Sequence, residues 1–98
     1  MGNDPPARPG VPVRHDPERS RFFVPLADGD AELSYAPFSD DVLDLQHTEV
    51  PRSGQGRGIG DALVRAALAY AREEGMRVMA TCPYVRAWLR KHPEERPT

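Results

Sequence analysis

Between residues 21 and 50 the apolar positions alternate with polar ones. Phe22, Val24 and Leu26 fall on one side of residues 21–26. Leu33 and Tyr35 share a side of residues 31–38, and Leu43 and Leu45 share a side of residues 42–50. A period of two marks strands with one buried face. The runs are separated by Ala27-Asp28-Gly29-Asp30 and Ser39-Asp40-Asp41. Asp-Gly suits the positive φ of a tight hairpin. The pattern predicts an antiparallel meander of three strands.

The period then changes. Residues 52–60 form a glycine-rich loop, and residues 61–74 carry Leu63, Val64, Ala67, Leu68 and Ala71 at helical spacing. One apolar stripe of that kind packs a helix on a sheet. Asp61 falls in the first turn, where a negative charge complements the helix dipole. Gly75 is placed to end the helix in a left-handed cap. Residues 77–82 read as a fourth strand and residues 84–91 as a short second helix, bounded by Pro83 and by His92-Pro93. Strand, helix, strand is a βαβ unit, whose strands lie parallel across a right-handed crossover. The fold class is α+β: a mixed, mostly antiparallel sheet with a βαβ core and a short C-terminal helix.

The ends differ from this middle. Residues 1–20 hold five of the 11 prolines and no aromatic side chain. Proline removes backbone donors and fixes φ, so an extended or disordered arm is expected there. The domain is expected to span residues 21–94, with residues 95–98 fraying.

Composition narrows the function classes. The 98 residues suffice for one domain burying roughly 65% of its unfolded surface, which excludes a hinged two-domain enzyme. The formal net charge of -2 does not favour broad contact with nucleic acid phosphates. A single cysteine makes no internal disulfide, which points to a reducing, cytoplasmic setting. No apolar run approaches the ~18 residues of a membrane span, and residues 1–10 lack the apolar stretch of a signal peptide. Of the 13 basic residues only Lys91 is a lysine, a bias read as genome composition.

The loop carries the chemistry. A helix start presents unpaired N–H groups and about half a positive charge, and glycines let an anion approach those amides. A phosphate cradle is the physical reading, with Arg52 and Arg57 adding charge. A Walker A loop needs G-x-x-x-x-G-K-S/T, and no lysine lies near. A dinucleotide fingerprint needs G-x-G-x-x-G. Its third glycine position falls on Ile59, Asp61 or Leu63 in the three possible frames, so all fail.

Gln55-Gly56-Arg57-Gly58-Ile59-Gly60 instead has the form Gln/Arg-x-x-Gly-x-Gly/Ala, set between a strand and a helix. It resembles the acetyl-CoA pyrophosphate loop of the Gcn5-related N-acetyltransferases. Three further strings sharpen the resemblance: His47-Thr48-Glu49-Val50-Pro51, Cys82-Pro83-Tyr84-Val85 and Arg90-Lys91-His92-Pro93-Glu94. Together they look like the small single-domain subgroup of that superfamily. The resemblance covers roughly residues 22–94. It implies that the two parallel strands splay apart to admit the cofactor. The end of the first, Thr48 to Val50, would pair with the pantetheine arm as an added strand does. It implies that the amides of Gln55, Gly56, Arg57, Gly58, Ile59 and Gly60 hold the pyrophosphate, and that Cys82 and Tyr84 flank the thioester. The implied partners are acetyl-CoA and an amine acceptor, with no metal, nucleic acid or membrane. The chain departs from larger members in three ways. It lacks their N-terminal helices, their C-terminal strand pair and the tyrosine that many carry in the second helix.

Acetyl transfer needs a neutral amine. An amine of pKa near 10.4 is uncharged about once in 2,500 molecules at pH 7, a cost of about 4.6 kcal/mol. A base acting through water lowers that cost. Glu49 is the best candidate, against a plain surface carboxylate at a strand end. His47, two residues earlier, is a base or a hydrogen-bonded strand residue. Cys82 is either an acyl-accepting nucleophile or a small buried wall of the thioester pocket. The expected activity is an acetyl-CoA-dependent N-acetyltransferase working by direct attack. The alternative is a non-catalytic acyl-CoA-binding or sensing module.

Overall fold

The computed structural model describes residues 11–97. Five strands form one sheet in the order β1-β2-β3-β4-β5: Arg14–Asp16, Arg21–Leu26, Gly29–Ser39, Val42–Glu49 and Arg77–Ala80. The first four pair antiparallel, and β4 with β5 is parallel. Helix α1, Ile59–Glu73, is the crossover between β4 and β5; helix α2, Pro83–Lys91, follows β5. The α+β expectation and the meander are both met.

The alternation read from the sequence sets the core. Phe22, Val24, Leu33, Tyr35, Leu43 and Leu45 are buried against Leu63, Val64, Ala67, Leu68 and Ala71 of α1, and Val85, Trp88 and Leu89 of α2 join the same cluster. Helix α1 begins two residues before its expected start, because Gly58 is its N-cap and Ile59 is already in the core, 2% exposed. At its far end Gly75 has φ +69°, and the Met76 amide donates to the Ala71 carbonyl at 2.8 Å, the six-to-one bond of a glycine C-cap.

Both ends depart from expectation. The proline-rich arm was expected to stay outside the domain, yet β1 adds Arg14–Asp16 to the edge of β2. His15 stacks on Phe22 at 4.1 Å between ring centroids, meets the edge of Tyr70, and bonds the Tyr35 hydroxyl at 2.6 Å. Val11 and Val13 pack on the core beside it. One flat ring with two polar atoms anchors this segment where the apolar count is too low to show it. The rest of the expected arm, residues 1–10, lies outside the described residues. The tail is tied as well. Arg72 donates to the Glu95 carbonyl at 2.8 Å, the Arg65 guanidinium stands 3.6 Å from the Glu95 carboxylate, and Pro97 is buried. The fraying expected from residue 95 is corrected through residue 97; Thr98 lies outside the described residues.

Two features of the sheet position the site. Pairing of β4 with β5 ends at Leu45↔Ala80, while β4 runs on to Glu49 beside β3 alone. The register of β3 on β4 also slips by one residue, from Ser34↔His47 to Tyr35↔Leu45, leaving Gln46 as a bulge. Short β5 has a local cause. The Asp44 carboxylate accepts from the Thr81 amide at 3.0 Å and from its hydroxyl at 2.8 Å. That turns the chain off the sheet, and Pro83 opens α2 at once.

Candidate active site

The cavity that results is about 430 Å³ and lies where β4 outruns β5. Its walls are Thr48 and Val50 from the end of β4, Gln55, Gly56, Gly58, Ile59, Gly60 and Asp61 from the loop and the start of α1, and Tyr84 from α2. Gly58 stands at the N-cap with φ +76° and offers no side-chain cap. A side chain there is strained, and it would occupy the approach to the helix amides. Gly60 is needed for a different reason: a Cβ on it would stand 2.7 Å from Tyr84 Oη. A side chain at residue 60 would push the Tyr84 ring from its place against the loop.

The loop is braced from outside the cavity. The Asp28 carboxylate, at the tip of the β2–β3 hairpin, accepts from the Ser53 amide at 3.1 Å and from the Ser53 hydroxyl. These bonds hold the Asp28 carboxyl below its usual pKa. Gln55 Nε2 donates to the Val50 carbonyl at 3.3 Å and Arg57 to the Ser53 carbonyl at 3.3 Å. Both long side chains are thus turned onto the loop's own backbone.

Of the expected cofactor residues, Thr48, Val50, Gln55, Gly56, Gly58, Ile59, Gly60 and Tyr84 come together around the cavity. Arg57 and Cys82 are not in its wall. Cys82 is 4% exposed and lies behind Thr48, with Sγ 3.5 Å from the Thr48 hydroxyl. His47 and Glu49 are on the other face of β4, with side chains 62% and 69% exposed and 3.7 Å apart. Among the described residues, no group of three His, Cys, Asp or Glu side chains is placed to hold a metal ion, and no helix is long and apolar enough to cross a membrane.

Asp61 is a wall that the sequence reading took for a dipole partner only. Its carboxylate accepts from Trp88 Nε1 at 2.7 Å and from Arg65 Nε at 3.0 Å. The Arg65 pair, four residues on, is legible in a helix; the Trp88 bond joins two helices and is not. Tyr84 is 45% exposed, and its phenol is pushed above the usual pKa by burial first, then by the charges of Asp61 and Cys82. It is a protonated donor at neutral pH.

A strand end parted from its neighbour, above a helix start with positive-φ glycines, defines the class: a βαβ unit with an open cavity at the helix start. Residues 21–97 match the family described as GCN5-related N-acetyl-transferase. The chain belongs to that family. It is 38% identical over 96 residues to Protein NATD1 of Bos taurus, covering 89% of this chain and 85% of that one. With Protein NATD1 of Homo sapiens the figures are 39% over 88 residues, 86% and 78%. The solution structure of a GCN5-like protein from Staphylococcus aureus superposes with a TM-score of 0.68 at 21% identity, covering 90% of this chain and 86% of that one. Ard1 from Thermoplasma volcanium gives 0.59 at 19%, covering 74% and 53%. The two structures share the fold.

Proposed function

We propose that this chain is an acetyl-CoA-dependent N-acetyltransferase, with the cofactor in the cavity beside β4 and the amine arriving on the opposite face of the sheet. One observation carries the reading. The cavity runs from the N-cap Gly58 to the end of β4, where that strand has lost its β5 neighbour. The helix-start amides suit a pyrophosphate, and the parted strand end suits an amide-bearing arm. Tyr84 stands where a hydroxyl can donate to a leaving thiolate. A free thiol in Cys82 is compatible with a reducing compartment such as the cytoplasm.

In the transfer the amine nitrogen attacks the thioester carbonyl; the C–N bond forms, the C–S bond breaks, and the thiolate leaves. The proton released by the amine goes through water to Glu49, with His47 beside it as the second acceptor. A thiol of pKa near 8.5 leaves with little protonation help, so the proton taken from the amine is the harder one. Cys82 is buried behind Thr48, outside the cavity wall, and direct attack needs no enzyme thiol.

A second reading, an acyl-CoA-binding module without transfer, is favoured by one observation. The carboxylate in the cavity wall, Asp61, is already held by Trp88 and Arg65. Calorimetry with acetyl-CoA tests the site. Free-thiol release with a panel of small amines, polyamines and peptides separates the readings: release that depends on amine supports transfer, and binding without release supports the module.

A further inference from the structure

The loop at the start of α1 leans on a second element. The Asp28 carboxylate, at the tip of the β2–β3 hairpin, takes both donors of Ser53, the amide at 3.1 Å and the hydroxyl. We propose that Asp28 is a positioning residue for the cofactor: its hold on Ser53 keeps residues 52–58 in the shape that admits the diphosphate, so that the hairpin tip sets how tightly acetyl-CoA binds. The inference rests on the reading of the cavity beside β4 as the cofactor site.

The hairpin is the stiff partner and the loop the soft one. The Leu26↔Gly29 pair closes a two-residue turn over Ala27 and Asp28, and β3 behind it is paired on both sides. The loop holds Gly54, Gly56 and Gly58, the last two at φ +79° and +76°, and a glycine released from such a shape has many others open to it. Among the described residues, every other hydrogen bond of residues 52–57 runs between positions 50 and 57. The Gly54 amide donates to the Pro51 carbonyl at 2.9 Å, the Gln55 amide to that of Arg52 at 3.1 Å and the Arg57 amide to that of Gly54 at 3.4 Å, and the side chains of Gln55 and Arg57 stay within the same span. Asp28 is what bonds the loop to another element. Packing seats the loop on the same hairpin: Gly54 is buried, and a Cβ on it would stand 2.7 Å from Leu26 Cδ1 and 2.9 Å from Ile59 Cδ1. The residue that Asp28 grips is the next one along.

Charge and shape give opposite signs here. Asp28 is exposed and outside the cavity wall. A carboxylate beside an anion-binding loop repels a diphosphate weakly, through screening water. On charge alone, its removal would tighten binding slightly. Shape works the other way. The apparent affinity of a site is its intrinsic affinity multiplied by the fraction of molecules already in the competent form. Losing bonds to a charged acceptor frees a glycine-rich loop and lowers that fraction by about five- to tenfold. A loss of affinity on removing Asp28 therefore reports shape, and a gain reports charge.

Calorimetry with acetyl-CoA reads the effect. Asp28→Ala should bind about five- to tenfold more weakly than the intact protein, with a melting temperature that shows the domain folded. Asp28→Asn keeps an acceptor oxygen for Ser53 and should recover most of that loss. Ser53→Ala should weaken binding by less, since its amide still reaches Asp28, and should add nothing to Asp28→Ala. The loss should fall on the association rate, with dissociation unchanged within about twofold. The fluorescence of Trp88, the chain's sole tryptophan, follows both rates, because its ring is bonded to Asp61 in the cavity wall. Unchanged or tighter binding by Asp28→Ala overturns the proposal and leaves the cofactor site standing. A loss carried by faster dissociation overturns it as well, since a missing ligand contact or a loosened fold acts there. The same holds if Asp28→Asn binds as weakly as Asp28→Ala. If the intact protein does not bind acetyl-CoA, the cofactor reading itself falls, and this proposal with it.

Discussion

The two faces of the β4 end differ more than neighbouring residues of one strand usually do. Thr48 and Val50 face a cavity roofed by the start of α1 and by Tyr84. His47 and Glu49 face solvent. On that open face Glu49 pairs across the strands with Glu32, whose carboxylate Arg21 holds at 2.8 Å. The Glu49 carboxylate itself stands 3.7 Å from the His47 ring. One strand thus separates a binding surface built from backbone and small side chains from a surface of titratable ones. The bulge at Gln46 sets the phase, since a one-residue slip exchanges the faces of every residue beyond it. The division predicts that changes on the cavity side act on cofactor affinity, and changes on the open side act on rate.

The largest effect belongs to the cavity side. Gly58→Val places a β-branched residue at φ +76° and fills the approach to the helix amides. Loss of about two charge-assisted bonds to a pyrophosphate weakens acetyl-CoA binding by roughly 10²–10⁴-fold. Backbone strain of about 1–2 kcal/mol lowers the melting temperature without unfolding the domain. A folded variant that binds like the intact protein removes the loop from the site.

The next test leaves both faces alone. Removal of residues 1–20 deletes β1, with the His15 stack and the packing of Val11 and Val13. About 2–4 kcal/mol of stability should go, a melting temperature lower by roughly 10–25 °C for a domain of this size. Acetyl-CoA affinity, measured below that melting temperature, should hold. The same anchor gives a pH signature. Burial lowers the His15 pKa in the fold, against a smaller raising effect of Asp16, while Tyr35 is pushed up to about 12 and stays protonated. The unfolded chain then binds more protons between the folded His15 value and about 6.5, so stability falls as pH drops through that window. His15→Phe should flatten this part of the curve, provided the new ring keeps the stack.

These two regions also show what the sequence discloses. The glycine loop was readable because its requirement is local: positive φ and a bare helix start are written in Gly56 and Gly58 themselves. The three central strands were readable from a period of two. The arm was not, because its order depends on Phe22, Tyr35 and Tyr70 receiving one histidine from a distance. The same holds for Asp28 on Ser53 and for Asp61 on Trp88, bonds between residues 25 and 27 positions apart. Residues 47–50 were assigned to the right strand end, but their division between two faces turns on a bulge that no pattern of four residues reveals.

On the open face, Glu49→Gln should lower the transfer rate at neutral pH by about 10², the lower end for a lost general base. Acetyl-CoA affinity should stay within about twofold, since the side chain lies outside the cavity. The deficit should shrink as pH rises and more amine is already neutral. A deficit constant across pH assigns Glu49 to positioning, and a drop in cofactor affinity breaks the division between the faces.

The smallest effect sharpens the comparison from the cavity side. Tyr84→Phe removes the one hydroxyl that α2 brings to the wall and keeps the ring that fills the space beside Gly60. If the phenol protonates the departing thiolate, the loss should be under about tenfold, because a thiol of pKa near 8.5 departs as the anion with little help. Burial raises the phenol pKa, so the group is protonated at neutral pH, and around neutrality the residual rate should rise with pH as that of the intact protein does. Affinity for acetyl-CoA should hardly move if the ring's role is packing. A loss of rate near the 10² expected for Glu49→Gln, with unchanged affinity, would instead make departure of the thiolate the slower event. The demanding proton would then belong on the cavity face of β4 and not on its open one.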